Sequence, residues 1–229
     1  MQTGDLLGSG RSADVYAIDG EGDWALRRYR DGQTTGAEAA VMAHLFAHGY
    51  PVPEVRPAGP EAPHDLVLRR LSGPTMVEAA LAGAIGVEES GALLAELLAR
   101  LHAVPAPGAP DRSILHLDFH PLNVMLTPDG PVVIDWGNTA EGHPALDWAM
   151  SDLILAQVAV ADGVLAPVAD ALLTAFLAHS PDGIVLEPAR MARARARRAA
   201  DPNQSPDELR QLDDAVALVV ELTGTVRTR

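Results

Sequence analysis

Apolar and polar positions alternate in short runs over residues 5–30, and then the period changes. Leu6-Leu7, Val15-Tyr16-Ala17-Ile18 and Trp24-Ala25-Leu26 are separated by Gly8-Ser9-Gly10 and by Asp19-Gly20-Glu21-Gly22. β-favouring runs bounded by glycine clusters predict three antiparallel strands joined by two turns. Ala39, Val41, Met42, Leu45 and Phe46 then recur at close to helical spacing, and Gly49 supplies a stop, so residues 35–48 read as a helix. Pro51, Pro53, Pro57, Pro60 and Pro63 mark an irregular connection, Leu66-Val67-Leu68 a short strand, and Ser72-Gly73-Pro74 a break.

Beyond the break the chain reads as helical. Leu93, Leu94, Leu97, Leu98 and Leu101 form the stripe of an amphipathic helix over 88–103. Two β-like runs, around Ile114-Leu115 and Val132-Ile134, flank a polar loop at 116–123. Residues 145–179 read as two Ala/Leu-rich helices, and 187–200 and 206–222 as two more. The predicted organisation is two lobes, residues 1–73 with strands and one helix and residues 74–229 mainly helical.

Composition narrows the chemistry. The chain of 229 residues is 48% hydrophobic, enough for a core, and has no Cys, which removes disulfides, thiolate metal sites and a Cys nucleophile. All 17 basic residues are Arg. Without Lys there is no GxxxxGK[ST] phosphate loop and no Lys Schiff base. A net charge of −14 argues against non-specific nucleic-acid binding and is compatible with a cationic substrate. The first ten residues lack a basic region followed by an apolar run, and no segment has 18 consecutive apolar residues. The expectation is a soluble cytoplasmic protein with no membrane partner.

Five features, in chain order, suit transfer of a phosphoryl group, which requires held phosphates, a neutralised charge and an oriented hydroxyl. Gly8-Ser9-Gly10 lets backbone amides approach phosphate; alone it is also an ordinary hairpin turn. Arg27 closes the third strand, where kinases carry a phosphate-contacting Lys, and Glu38 on the next helix is placed to pair with it. In His116-x-Asp118-x-His120-x-x-Asn123, Asp118 suits acceptance of a hydroxyl proton and Asn123 offers a carbonyl oxygen to Mg²⁺. Asp135 closes the apolar run Val132-Val133-Ile134 and is followed by Trp136-Gly137, an arrangement that presents a carboxylate to Mg²⁺.

With these motifs in place, the chain resembles the aminoglycoside phosphotransferase family, relatives of choline kinases, whose motif is similar to His-Gly-Asp-x-His-x-x-Asn followed by Ile-Asp-Trp/Phe. Leu101-His102-Ala103-Val104-Pro105 and Gly142-His143-Pro144-Ala145-Leu146-Asp147 resemble further stretches of that family. The resemblance covers roughly residues 4–150. It implies an α+β, bilobal protein-kinase-like fold, with a small antiparallel-sheet N-lobe and a mainly helical C-lobe. It implies Asp118 as catalytic base, Asn123 and Asp135 as Mg²⁺ ligands, and Arg27 with Glu38 as the phosphate-contacting pair. His116, His120 and Asp147 would brace the loop, and the backbone from Leu68 to Arg70 would read adenine. The cofactors implied are ATP, with GTP an alternative, and Mg²⁺.

The sequence departs from that pattern twice: Arg27 stands for Lys, and Leu117 stands for Gly. Only 11 residues separate Asp135 from Asp147, too few for a long peptide-binding segment, so the expected acceptor is a small alcohol or amino-alcohol. Asp147, Asp152, Asp162, Asp170 and Glu187 are the acids available to an amine on it, and Arg190, Arg193, Arg195, Arg197 and Arg198 read as a surface cluster. Two rival readings are a nucleotide-binding pseudokinase with a regulatory role, suggested by Arg27 and the short tail, and a metal-dependent hydrolase using His116, Asp118, His120 and Asp135.

Overall fold

The computed structural model describes residues 2–10, 12–30, 32–59, 62–109, 111–181 and 188–226. Pro60 and Glu187, named above, lie outside them. The described part forms two compact units.

The first unit comprises Met1–Pro74 together with Met125–Thr139. Its centre is an antiparallel five-stranded sheet in the order β1-β2-β3-β5-β4. β1 (Thr3–Ser9), β2 (Ala13–Ile18) and β3 (Trp24–Tyr29) are the three strands the alternation predicts. β1 slips register against β2 on either side of Leu6, which lets Gly8 and Ser9 face Val15 and Asp14. β4 (Val55–Arg56) and β5 (Asp65–Arg69) complete the sheet, Arg27 pairing with Leu66 and Ala25 with Leu68. One face buries Ile18, Leu26 and Val67 beneath Tyr16 and Trp24. Helix α1 (Gly36–Ala47) adds Met42 and Leu45, both buried.

The return segment of this unit carries β7 (Val124–Thr127) and β8 (Gly130–Val133), a two-stranded pair. It is tied to the N-terminal part by Leu126 N–H donating to Pro74 O at 2.8 Å and Val133 N–H to Pro51 O at 2.8 Å. Trp136, fully buried, meets Tyr50 edge-on at 5.7 Å between ring centroids.

The second unit comprises Thr75–Val124 and Ala140–Arg229. α2 (Met76–Leu81) starts at a capping box, in which Thr75 and Glu78 satisfy each other's backbone amides. α3 (Val87–His102) packs against α5 (Ala166–Ala178) and buries Leu94, Leu97, Leu98 and Leu101 of the predicted stripe, with Leu93 only part-buried. The two helices approach so closely that a Cβ on Gly91 would stand 2.5 Å from the Ala175 methyl and 2.8 Å from backbone atoms of α5. α4 (Pro144–Val160) is buried almost from end to end among α5, α6 (Pro188–Ala199) and α8 (Leu212–Val226). β6 (Ser113–Leu115) pairs with β9 (Ala140–Gly142). The single helix expected over 206–222 is two: Ser205 caps α7 (Pro206–Arg210), and the chain restarts at Leu212. No described helix is long and apolar enough to cross a membrane.

Burial in α4 removes two of the acids considered for an amine-bearing acceptor. Asp147 has no exposed surface, and Asp152 is 2% exposed with Oδ1 lacking a hydrogen-bond partner. Burial pushes the Asp152 carboxyl up to about 8, so it is neutral over most of the physiological range. An unfolded Asp titrates near ~4. Between these values the folded chain holds a proton that the unfolded chain has lost, so this group's contribution is greatest below ~4 and declines as pH rises through about 8. Asp152→Asn, which cannot ionise, should therefore raise Tm more at pH 8 than at pH 5. Thermal unfolding of both proteins at the two pH values checks this; an equal Tm difference at both would refute it.

Candidate active site

In the first unit, the sheet and α1 bring Arg27 and Glu38 together, and the segment after β8 brings Asp135 to the same guanidinium. Arg27 Nη1 donates to Glu38 Oε1 at 3.1 Å and Nη2 to Asp135 Oδ1 at 2.6 Å. Glu38, 6% exposed, also accepts from the Tyr29 hydroxyl at 2.6 Å and from the Trp136 backbone. Burial raises the Glu38 carboxyl, and the Asp135 charge adds to this, against the opposing pull of Arg27 and Tyr29. Burial alone would lower the Arg27 pKa, but Asp135 and Glu38 outweigh it and keep the guanidinium charged. Tyr29 was absent from the sequence reading. Its signal is the i, i+2 spacing from Arg27, which puts both on one face of β3.

Asp135 has φ +67°, in the left-handed region that Asp tolerates better than most residues, and its side chain is 42% exposed. Elsewhere in this unit, Ser9 Oγ donates to Asp14 at 2.6 Å, and the Gly10 carbonyl accepts from Arg30. Gly8, Ser9 and Gly10 are exposed at the β1–β2 hairpin. At the other end of the sheet, the Arg69 and Arg70 amides donate to Glu54 O and Asp23 O, both at 2.8 Å. Those two amides are thus already used within the unit, and recognition of a base by Leu68–Arg70 would fall to other groups of that backbone.

The second unit holds the loop between β6 and the 3₁₀ turn Pro121–Asn123. Its fixed point is Asp147, which accepts from His116 N–H at 2.8 Å and Leu117 N–H at 2.7 Å, with His102 Nε2 at 3.0 Å. Leu117 occupies the left-handed region, φ +63°. That conformation costs a side-chain-bearing residue roughly 1–2 kcal/mol. Leu117 is only 3% exposed, and full burial of a Leu side chain contributes about 1.5–3 kcal/mol, which explains why a position suited to Gly accepts Leu. His116 is fully buried, edge-on to Phe119 at 5.7 Å, and its Nδ1 accepts from the Asp118 N–H at 3.3 Å.

Asp118 is thereby presented with its side chain 24% exposed. Asn123 Nδ2 donates to the Asp118 carbonyl at 2.9 Å and lies 3.5 Å from Oδ2, and His120 Nε2 is 3.7 Å from Oδ1. Burial would raise the Asp118 carboxyl, but His120, His116 and Arg198 together reverse the effect and hold it below the usual carboxylate range. Such a group is ionised at neutral pH and can accept a hydrogen-bonded proton.

Arg198 corrects the surface-cluster expectation. Its side chain is 12% exposed, whereas Arg193 and Arg197 are exposed. Met191 and Ala194 are the buried positions of α6, and 198 continues their seven-residue stripe, so the helix turns Arg198 inward. The repeated Ala-Arg pairs concealed this, although the heptad spacing was available in the sequence.

Two hard oxygen donors are candidates for Mg²⁺. In the second unit Asn123 donates through Nδ2, and in the first unit Asp135 carries a half-exposed carboxylate. Each is a hard oxygen-bearing side chain of the kind that suits Mg²⁺. A transition-metal hydrolase needs more: among the described residues no group of three or more His, Asp or Glu is placed to hold a metal. The alternation His116, Asp118, His120 lies in a loop, not on a strand face.

An α+β protein with an Arg–Glu pair between a small antiparallel sheet and the helix α1, and an Asp-to-Asn loop set among helices, has the protein-kinase-like fold. The chain belongs to the phosphotransferase enzyme family, which it matches over residues 3–114 and 106–176. No curated protein matches it. Among solved structures it is similar to a thermostable mutant of aminoglycoside phosphotransferase APH(4)-Ia in complex with ADP and hygromycin B, with 16% identity, 96% of this chain and 94% of that chain covered, and a TM-score of 0.59. It is similar also to a choline/ethanolamine kinase family protein from Mesorhizobium loti, with 19% identity, coverage of 98% and 86%, and a TM-score of 0.53. A third is amicoumacin kinase hAmiN in complex with AMP-PNP, Ca²⁺ and amicoumacin, with 14% identity, coverage of 96% and 88%, and a TM-score of 0.54. At these identities the likeness is one of fold.

Proposed function

We propose that the protein transfers the γ-phosphoryl group of ATP, with Mg²⁺, to a hydroxyl of a small molecule such as an aminoglycoside-like compound, an amino-alcohol or a sugar amine. The observation that carries the reading is the Asp118 loop. One segment presents a part-exposed, ionised carboxylate and locks Asn123 to that residue's own carbonyl, so base and metal ligand share one rigid support. In the reading, Asp118 accepts the proton of the attacking hydroxyl, and Asn123 and Asp135 hold Mg²⁺, which neutralises phosphate charge. Arg27, oriented by Glu38, contacts phosphate, and Gly8, Ser9 and Gly10 offer backbone amides to it. ADP, AMP-PNP and small acceptors in the similar structures support nucleotide and acceptor classes of this kind.

A second reading is favoured by one contact. Arg27 binds Asp135 directly at 2.6 Å, so the carboxylate assigned to the metal already has an internal cation as partner. A guanidinium fork reaches both Glu38 and Asp135, as one ammonium does less readily, and this supports a nucleotide-binding regulator with little turnover. An ADP-release screen over aminoglycosides, macrolides, choline, homoserine and sugar amines, with Asp118→Ala as blank, separates the two. The enzyme reading expects one acceptor class to raise release well above the blank. Nucleotide binding without turnover on any acceptor would favour the regulator.

A further inference from the structure

Arg198 lies on the buried face of α6, 12% exposed, and its surroundings are built to hold it. Nε donates to Gln157 Oε1 on α4 at 2.8 Å, and Nη1 lies 3.6 Å from Asp201 Oδ2. Gln157, 4% exposed, is fixed in turn by donating Nε2 to Gln204 Oε1 at 2.9 Å and to the Glu208 carbonyl at 3.2 Å. Gln204 is itself 9% exposed. The chain of contacts runs from α7 through α4 to α6 and ends at the catalytic loop, where Arg198 Nη1 stands 3.9 Å from Asp118 Oδ1. Burying a guanidinium and two carboxamides is less favourable than filling the same space with apolar side chains unless each finds partners, and such networks fix geometry more than they add stability.

The two oxygens of Asp118 are consequently unequal. Oδ1 faces two basic groups at ion-pair separation, His120 at 3.7 Å and Arg198 at 3.9 Å, whereas Oδ2 faces the neutral Asn123 amide at 3.5 Å. We propose that Arg198, held by Gln157 and Asp201, is a positioning residue that fixes the Asp118 carboxylate through Oδ1 and leaves Oδ2 to take the acceptor's proton. This rests on Asp118 being the base. Arg198 touches neither nucleotide nor acceptor in this role; it acts through Asp118.

Three variants test the assignment: Arg198→Ala, Arg198→Lys and Gln157→Leu, the last of which frees the guanidinium without removing its charge. Each is measured by ADP release with MgATP and an acceptor found by the screen, in the wild-type and Asp118→Asn backgrounds. The expected result for Arg198→Ala is a kcat lower by about ten- to a hundredfold, in line with the effect of a misplaced catalytic group, with KM for ATP changed less than about twofold. Added guanidinium ion at low millimolar concentration should restore part of the loss, and Arg198→Lys and Gln157→Leu should show smaller losses. In Asp118→Asn, the Arg198 changes should have no further effect. An unchanged kcat in Arg198→Ala, or a loss confined to KM for the acceptor, would overturn the proposal; the latter would make Arg198 an acceptor-binding group.

Crystal structures of the wild type and Arg198→Lys supply a readout that needs no turnover. The wild-type Asp118 should hold one rotamer with Oδ1 towards residue 198, and the variant should show a rotated or divided carboxylate. An Asp118 turned away from Arg198 in the wild type, or unmoved in the variant, sinks the inference. Loss of turnover in Asp118→Asn combined with no effect of Arg198→Ala in the wild-type background would sink it alone, while an Asp118→Asn protein as active as wild type would sink the functional reading.

Discussion

Asp118→Ala should lower acceptor-dependent ADP release by about 10²–10⁴-fold, the usual contribution of a general base, with little change in KM for ATP. The expectation follows from how the carboxylate is supported. The loop is anchored by the Asp147 bonds to the His116 and Leu117 amides, by buried His116 and Phe119, and by the Asn123 bond to the Asp118 carbonyl. None of these uses the Asp118 carboxylate, so its removal leaves the loop's backbone contacts in place. The variant should keep the wild-type far-UV spectrum and melt within a few degrees of it, which separates chemical loss from unfolding. Asp118→Asn preserves shape and should be impaired to a similar degree, because an amide cannot accept the proton as a carboxylate does. Wild-type rates in either variant would remove Asp118 from the mechanism.

The second large effect is expected at Asp135. Asp135→Ala removes a carboxylate assigned to Mg²⁺ and also one of the two partners of Arg27. Metal-ion stabilisation of developing phosphoryl charge amounts to several kcal/mol, so kcat/KM should fall on the order of 10²–10³-fold. Binding should report the same change without turnover. In the wild type, Mg²⁺ should increase the Tm shift produced by AMP-PNP, and in Asp135→Ala that increment should disappear. Retention of the full increment would mean that Asp135 is not a metal ligand and that its role is to hold Arg27. The effect on folding should be modest, since Glu38 keeps Arg27, Tyr29 and the Trp136 backbone as partners.

The first three strands, α1 and α3 were legible in the sequence from spacing, and the α4–α5 pair from its richness in Ala and Leu. Shorter pieces were not. β4 has two residues and β9 three, too few for alternation to show, and β7 adjoins the polar loop. The division of the C-terminal helix depends on a Ser205 cap and on α7 stopping at Arg210, local features that a hydrophobic stripe does not report. In the candidate site, the pairing of Arg27 with Glu38 was readable as strand followed by helix. The third partner, Asp135, is 108 residues away along the chain, and only the folded sheet brings it to Arg27. Arg198 is hidden in the sequence because the alternating Ala-Arg run masks its seven-residue spacing from Met191. Two of the five acids suggested for an amine, Asp147 and Asp152, are buried because α4 is apolar on nearly every side and carries them inward.

The first compact unit is not contiguous in the chain, and this bears on how the protein comes to be made. When the first 74 residues have left the ribosome, the sheet can pair internally, but Pro51 and Pro74 still lack the amides of Val133 and Leu126, and Tyr50 lacks Trp136. Completion waits for synthesis to pass residue 139, several seconds later at roughly 5–20 residues per second. During that interval Arg27 has Glu38 available as a partner but not Asp135, and α2 and α3 follow in the chain before the first unit can be completed. A stalled chain ending near residue 75 should therefore be more sensitive to protease than one extended past 140, even though the sheet sequence is the same in both.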